Sequence, residues 1–173
     1  MRRRSISDAR CADFETTTNP LDCRVWSWGS MAVNDYDDYA VGIGVGAYVA
    51  YLLSAPNVTF FHNLAFDGSF ILDYILKDGY KWVPDRPGKG EFSTVISNMN
   101  KFYSITIVSK KGVKVELRDS LKKIPLPVRD VPKAFNLESV KGDIDYEAER
   151  PIGYLPTKEE WEYLYNDIYI MAQ

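Results

Sequence analysis

The chain has 173 residues, 46% apolar and 26% charged, with a net charge of −3 at pH 7, an ordinary globular composition that argues against disorder and against a membrane class. That length fits one domain able to bury a core without disulfide or metal staples. Two cysteines, Cys11 and Cys23, and one histidine, His62, fall short of a zinc site, so free, reduced thiols are expected; no apolar run reaches spanning length or follows Arg2-Arg3-Arg4 as a signal peptide would, so a cytoplasmic protein is expected.

Residues 9–18 run from apolar to acidic, and 23–33, Cys-Arg-Val-Trp-Ser-Trp-Gly-Ser-Met-Ala-Val, alternate as a strand does. Val45, Tyr48, Val49 and Leu52 recur at helical spacing over 45–54, and Val58-Thr59-Phe60-Phe61-His62 after Pro56-Asn57 reads as a buried strand. From Asp67 to Gly79 a helix is predicted, starting at Asp67, with Phe70, Ile71, Tyr74 and Ile75 on its packing stripe and glycine as its stop. Residues 82–91, with two prolines and two glycines, form a loop. Strands at 92–97, 102–109 and 113–119, joined by Asn98-Met99-Asn100 and Lys110-Lys111-Gly112, make a β-meander. After a stretch punctuated by Pro125, Pro127 and Pro132, Thr157 and Glu160 form a capping box that opens the last helix.

Three acidic patches stand out against this frame: Asp13-Phe14-Glu15, Asn63-Leu64-Ala65-Phe66-Asp67, and the Tyr163 to Asp167 segment. On a strand, Asp13 and Glu15 point to one side while Phe14 enters the packing layer. On the last helix Tyr163 and Asp167, four residues apart, share a face, with Trp161, Leu164 and Ile168 expected on the opposite stripe. Two side-by-side carboxylates repel unless a cation offsets them. Four of them, Asp13, Glu15, Asp67 and Asp167, suit two adjacent magnesium or manganese ions, the arrangement that cleaves a phosphodiester. Any one of these patterns alone is commonly a solvated surface pair or an ordinary helix cap; their order along one chain carries the weight. The net negative charge does not exclude a nucleic-acid substrate, because bound cations reverse the sign of the site.

In that order the patches resemble the DEDD superfamily of 3′→5′ exonucleases, and Tyr163 in place of a histidine is similar to its tyrosine branch. Asp-Phe-Glu-Thr-Thr-Thr at 13–18, Phe-His-Asn-Leu-Ala-Phe-Asp-Gly at 61–68, Asp-Ser-Leu-Lys-Lys at 119–123, Lys-Gly-Asp-Ile-Asp-Tyr at 141–146 and Glu-Arg-Pro-Ile-Gly-Tyr at 149–154 narrow the likeness. Together they resemble the N-terminal exonuclease domain of protein-primed family B DNA polymerases of small tailed phages, over nearly all 173 residues. The resemblance implies an RNase H-like α/β fold, a mixed sheet flanked by helices with an inserted β-meander near 92–119. One domain is expected over 1–173, with residues 1–8 as a disordered tail; the palm motifs with which those polymerases continue do not appear in this sequence, so palm, fingers and thumb are not expected in it. The resemblance also implies a phage-encoded protein working inside the host cell.

By the same resemblance, Asp13, Glu15, Asp67 and Asp167 hold two Mg2+ or Mn2+ ions, Tyr163 orients the attacking water, and Lys141 touches the scissile phosphate. Thr16, Phe60, His62, Asn63, Phe66, Ser120, Leu121 and Tyr146 contact the 3′ end of single-stranded DNA, Phe66 by wedging or stacking and Asn63 by hydrogen bonding. Phe60 departs from the tyrosine often found there and is otherwise a core residue; His62 is otherwise a hydrogen-bonded core histidine, and Lys141 a surface lysine. The implied activity is stepwise removal of 3′-terminal nucleotides, with a polymerase domain or terminal protein as partner. Two alternatives stay open: a catalytically weak nucleic-acid or protein-interaction module retaining the fold, and an RNA exonuclease of the same superfamily.

Overall fold

A computed structural model describes residues 9–97, 102–139 and 141–173; the tail expected at 1–8 and the turn at Asn98-Met99-Asn100 lie outside the described residues. Strands β1 (Ala9–Thr16), β2 (Val25–Ala32), β3 (Asp35–Gly42), β4 (Asn57–Phe61), β5 (Lys81–Trp82), β6 (Glu91–Ile96), β7 (Phe102–Val108) and β8 (Lys114–Asp119) form one sheet in the order β3-β2-β1-β4-β8-β7-β6-β5. The α-helices are α1 (Val45–Leu52), α2 (Leu64–Lys77), α3 (Val131–Phe135) and α4 (Lys158–Ala172). β1 runs antiparallel to β2 and parallel to β4, β4 parallel to β8, and β6, β7 and β8 antiparallel in turn. The mixed α/β sheet is the one anticipated, and the meander continues it as further strands.

Alternate residues of β1 pack on opposite faces, as pleating requires. Ala12 and Phe14 join the main core with Tyr48, Leu52, Phe61, Leu64, Ile71, Ile75, Ile105 and Leu117, under α1 and α2. Cys11 faces the other way, into a second cluster with Met31, Ile168 and Ala172 under α4. With helices on both faces, β2 is buried at every position, so the alternation in its sequence does not mark a wet face. Burying Phe61, which is fully enclosed, contributes roughly 1.5–3 kcal/mol.

Other differences from the expected elements have local causes. β3 was not anticipated, because Asp35, Asp37 and Asp38 disguise it; it is an edge strand, where charged side chains are tolerated. α2 begins at Leu64, ahead of Asp67, after Asn63 takes a left-handed conformation at φ 80°. Its packing stripe is Leu64, Gly68, Ile71 and Ile75, with Phe70 only partly buried and Tyr74 exposed. The loop expected at 82–91 starts with the short strand β5, and α3 uses Pro132 in its first turn. The capping box of α4 is present, Glu160 N–H donating to Thr157 Oγ1 at 3.3 Å and Thr157 N–H to Glu160 Oε2 at 2.8 Å.

α4 rests on β2 at one bare point. A Cβ on Gly29 would meet Ile168 Cδ1 at 3.1 Å and Leu164 Cγ at 3.2 Å, and Gly29 is the cross-strand partner of Asp13. Leu164 and Ile168 thus share the buried stripe with Tyr163 and Asp167, whereas Trp161 is only half-buried. Trp161 instead lines a concavity of about 650 Å³ with Tyr39, Val41 and Tyr165, which includes none of the four carboxylates.

Candidate active site

Because β1, β4 and β8 are mutually parallel, their C-terminal ends lie at one edge of the sheet: Glu15 and Thr16 end β1, Phe61 ends β4, and Asp119 pairs with Phe61 at the end of β8. Chain leaving β4 turns at Asn63 into α2 and brings Asp67 to that edge, while α4 lowers Tyr163 and Asp167 onto the face that carries Asp13 and Glu15.

Asp13, Glu15 and Asp167 each offer a carboxylate oxygen, all within 4.8 Å of one another. Asp67 stands beside that trio, buried and electrostatically coupled to Asp13. Burial first and the Asp167 charge second push the Asp13 carboxyl up to about 7, against Lys141 and a backbone hydrogen bond from Phe14. Burial, then Asp13 and Asp167, push Glu15 up to about 9. Asp67 is raised well above the carboxylate range by burial and by Asp13, and Asp167 is raised by burial although Lys141 opposes the shift. Asp67 Oδ1 and Asp167 Oδ1 are buried with no hydrogen-bond partner. Oxygen-rich, crowded and under-satisfied, the site fits hard divalent cations, which would supply the positive charge and the missing partners.

Lys141 Nζ donates to Asp167 Oδ2 at 2.6 Å and lies 5.1 Å from the Tyr163 ring centroid. Burial works against its charge, but the hydrogen bond and charge of Asp167 prevail and raise its pKa. Tyr163 is buried, and its hydroxyl pairs with that of Tyr146. Burial and this hydrogen bond push the Tyr163 phenol up, so it stays protonated.

Of the residues expected on the DNA strand, Phe66 and Tyr146 are 45% and 44% exposed, with ring surface open to a base. Phe66 packs edge-on against Phe70 at 5.5 Å. Asn63 is exposed with its side chain uncommitted to the helix cap, and Thr16 and Leu121 are half-buried. His62 and Ser120 are engaged within the fold: His62 Nε2 lies 2.7 Å from the Leu126 carbonyl and Nδ1 3.1 Å from Ser120 Oγ. Ser120 uses both its N–H, at 2.9 Å, and its hydroxyl, at 3.1 Å, on the Phe61 carbonyl, so Nδ1 and that carbonyl share one hydroxyl proton. That leaves the edge and face of the His62 ring. Phe60 packs against the Cys11, Met31, Ile168 cluster, which gives it the packing place that was the alternative.

Asp119, which opens Asp-Ser-Leu-Lys-Lys, has a place at the site that the sequence pattern does not reveal. Buried, it accepts from the Asn63 N–H at 3.3 Å and the Leu121 N–H at 2.8 Å and pairs with Lys122 at 3.2 Å. It ties the turn before α2 to the loop after β8. The expected free thiols are present, Cys11 buried with Sγ 3.0 Å from the Met171 carbonyl and Cys23 exposed. Among the described residues no helix is long and apolar enough to cross a membrane.

A family model described as DNA polymerase type B, organellar and viral, matches residues 55–170. The DNA polymerase of Bacillus phage phi29 is 42% identical over 165 residues, covering 93% of this chain and 28% of that polymerase; that of Streptococcus phage Cp-1 is 28% identical over the same shares. Among solved structures, phi29 DNA polymerase complexed with primer-template DNA and incoming nucleotide substrates superposes with a TM-score of 0.90 at 40% identity, over 95% of this chain and 29% of that one. The same polymerase complexed with single-stranded DNA gives a TM-score of 0.89. The chain spans less than a third of the length of these relatives.

Proposed function

The chain belongs to the type B DNA polymerases of organelles and viruses, matching the N-terminal region of a protein-primed phage enzyme, and from that premise we propose that residues 1–173 form a domain that removes nucleotides one at a time from the 3′ end of single-stranded DNA. One observation carries the reading: three carboxylates with ligand atoms within 4.8 Å, a fourth beside them, and two buried carboxylate oxygens without partners. Such a cluster is costly by itself and suited to divalent cations.

Asp13, Glu15, Asp67 and Asp167 would hold two Mg2+ or Mn2+ ions. When bound, the ions acidify a water and offset charge on the leaving oxygen. The chain's own residues do the rest. Tyr163, kept protonated by burial, is a hydrogen-bond donor that can orient the attacking water but not abstract its proton. Lys141, kept charged by Asp167, faces the negative charge that grows on the phosphate. Water attacks the terminal phosphorus, the P–O3′ bond breaks, and a nucleoside 5′-monophosphate leaves a strand ending in a 3′-hydroxyl. Exposed Phe66 and Tyr146 offer stacking surfaces, with Thr16, Asn63 and Leu121 alongside, a combination that tolerates any base. His62 and Ser120 shape the loop beneath the DNA strand, and Phe60, on β4, packs into the cluster under α4.

Proofreading would be its use within a longer polymerase, inside an infected cell, with a polymerase domain delivering frayed ends and a terminal protein as a further partner. The test is a 5′-labelled single-stranded DNA oligonucleotide with magnesium or manganese, beside the Asp13→Ala/Glu15→Ala variant. A ladder shortening from the 3′ end, absent in the variant, is the expected result. Intact oligonucleotide with DNA binding retained and the fold preserved would reject hydrolysis in favour of a binding module. A ladder obtained equally on RNA would broaden the substrate to both nucleic acids.

A further inference from the structure

Arg150, in the string Glu-Arg-Pro-Ile-Gly-Tyr, is 5% exposed and has no part in the mechanism above. Its guanidinium is fully committed. Nε and Nη2 donate to Glu160 Oε1 at 3.0 and 2.9 Å, Nη2 also to the Asp145 carbonyl at 2.7 Å, and Nη1 to the Ala148 carbonyl at 3.2 Å. The guanidinium carbon lies 4.4 Å from the centroid of the Trp26 ring on β2. The other oxygen of Glu160 accepts from Thr157 N–H at 2.8 Å and Tyr154 hydroxyl at 2.7 Å. One carboxylate therefore closes the cap of α4 and anchors the loop before it.

Nη1 also reaches the Tyr146 carbonyl, at 3.5 Å, so Arg150 holds the backbone at Tyr146 and on either side of it; the Tyr146 hydroxyl meets that of Tyr163, three residues past Glu160 on α4. The contacts close a ring: Glu160 to Arg150, Arg150 to the backbone around Tyr146, Tyr146 to Tyr163, and back along one turn of helix. We propose that Arg150 is a positioning residue of the active site, fixing Tyr146 against Tyr163 and so setting where a terminal nucleotide is held. The inference rests on the exonuclease reading. A planar fork with five donors can hold a carboxylate and three carbonyls at once; a lysine ammonium cannot reproduce that geometry. A buried ion pair is weak evidence of stability for its own sake, and this one is aimed at the segment that carries Tyr146.

The test is a double-mutant cycle on the single-turnover rate of 3′-nucleotide release with magnesium, using Arg150→Lys, Tyr146→Phe and the double variant, each checked for fold by circular dichroism and melting. Arg150→Lys should lower the rate about tenfold, with the magnesium concentration for half-maximal rate unchanged. The double variant should fall within about twofold of the slower single one, because both changes act on one contact. Rates that multiply, to about a hundredfold loss, would overturn the positioning role while leaving the exonuclease reading in place. A parent protein that releases no nucleotide overturns both. If Arg150→Lys does not fold, Glu160→Gln replaces it in the cycle, where the same coupling to Tyr146→Phe supports the proposal and independence rejects it.

Discussion

Lys141 and Asp167 face each other across 2.6 Å, and the same ammonium lies 5.1 Å from the Tyr163 ring. One cation is thus shared by a carboxylate proposed to bind metal and the tyrosine proposed to orient the attacking water. Replacing Lys141 by Met keeps the stem and deletes the charge. The rate of terminal nucleotide release should fall by about 10²–10³, the range for loss of one oriented charge at a developing anion. A single-turnover assay at saturating magnesium measures it, and an unchanged rate would remove Lys141 from the mechanism.

Crowded carboxylates predict a conflict between stability and activity. The Asp13→Ala/Glu15→Ala variant should melt at a higher temperature than the parent in EDTA, because it relieves repulsion around Asp167 and Asp67. The parent should gain several degrees on adding magnesium or manganese, and the variant almost none. Thermal scans of both proteins with chelator and with each metal decide the matter; a variant that gains as much as the parent would place the metal elsewhere.

A pH dependence follows from the same groups. Asp13 titrates near 7 and Glu15 near 9 in the fold, against about 4 in an unfolded chain. Between those values the folded state binds more protons than the unfolded one, so the contribution of these groups to stability is complete below about pH 4 and falls as pH rises through 7 towards 9. The melting temperature of the metal-free parent, minus that of Asp13→Asn/Glu15→Gln, should decline from about pH 5 to about pH 9. Metal must displace those protons, so the stabilisation by magnesium should grow over the same interval. A flat difference would mean the carboxyls are not perturbed.

Two phenylalanines separate binding from folding. Phe66 is 45% exposed and Phe61 fully buried. Phe66→Ala should leave stability within about 0.5 kcal/mol, as for a surface change, and weaken binding of single-stranded DNA by about 1–3 kcal/mol, the cost of one lost stack. Phe61→Ala should cost about 3–5 kcal/mol of stability. Chemical denaturation and fluorescence anisotropy with a labelled oligonucleotide, in calcium to prevent turnover, compare them.

Much of this architecture could be read from the chain because local signals agreed with tertiary ones. Thr157 and Glu160 announced α4 by chemistry that holds wherever the helix packs. Asp13, Phe14 and Glu15 announced their two faces through the strand period alone. What escaped depended on neighbours. β3 is an acidic edge that reads as a loop until β2 pairs with it. The packing stripe of α2 turns on Gly68, whose contribution is a close approach that no hydropathy pattern records. The hydrogen bonds that tie His62 to Ser120 and to Leu126, a partner 64 residues further on, are likewise invisible in the sequence. Asp119 escaped because its partners are mostly backbone groups, and Arg150 because its side-chain partners, Trp26 and Glu160, meet it only in the fold.

Gly29 sits opposite Asp13 on β2, and Leu164 and Ile168 of α4 press against it from above. A missing side chain therefore serves as the spacer gauge of the site. The helix descends until it meets bare backbone, and that depth of seating decides how near Asp167 comes to Asp13. A single methyl group at position 29 would remove no carboxylate, yet it would press on Leu164 and Ile168 and oblige them to give way beside the site. In the proposed site the spacing of the carboxylates would in that sense be set by an atom that was never added to β2.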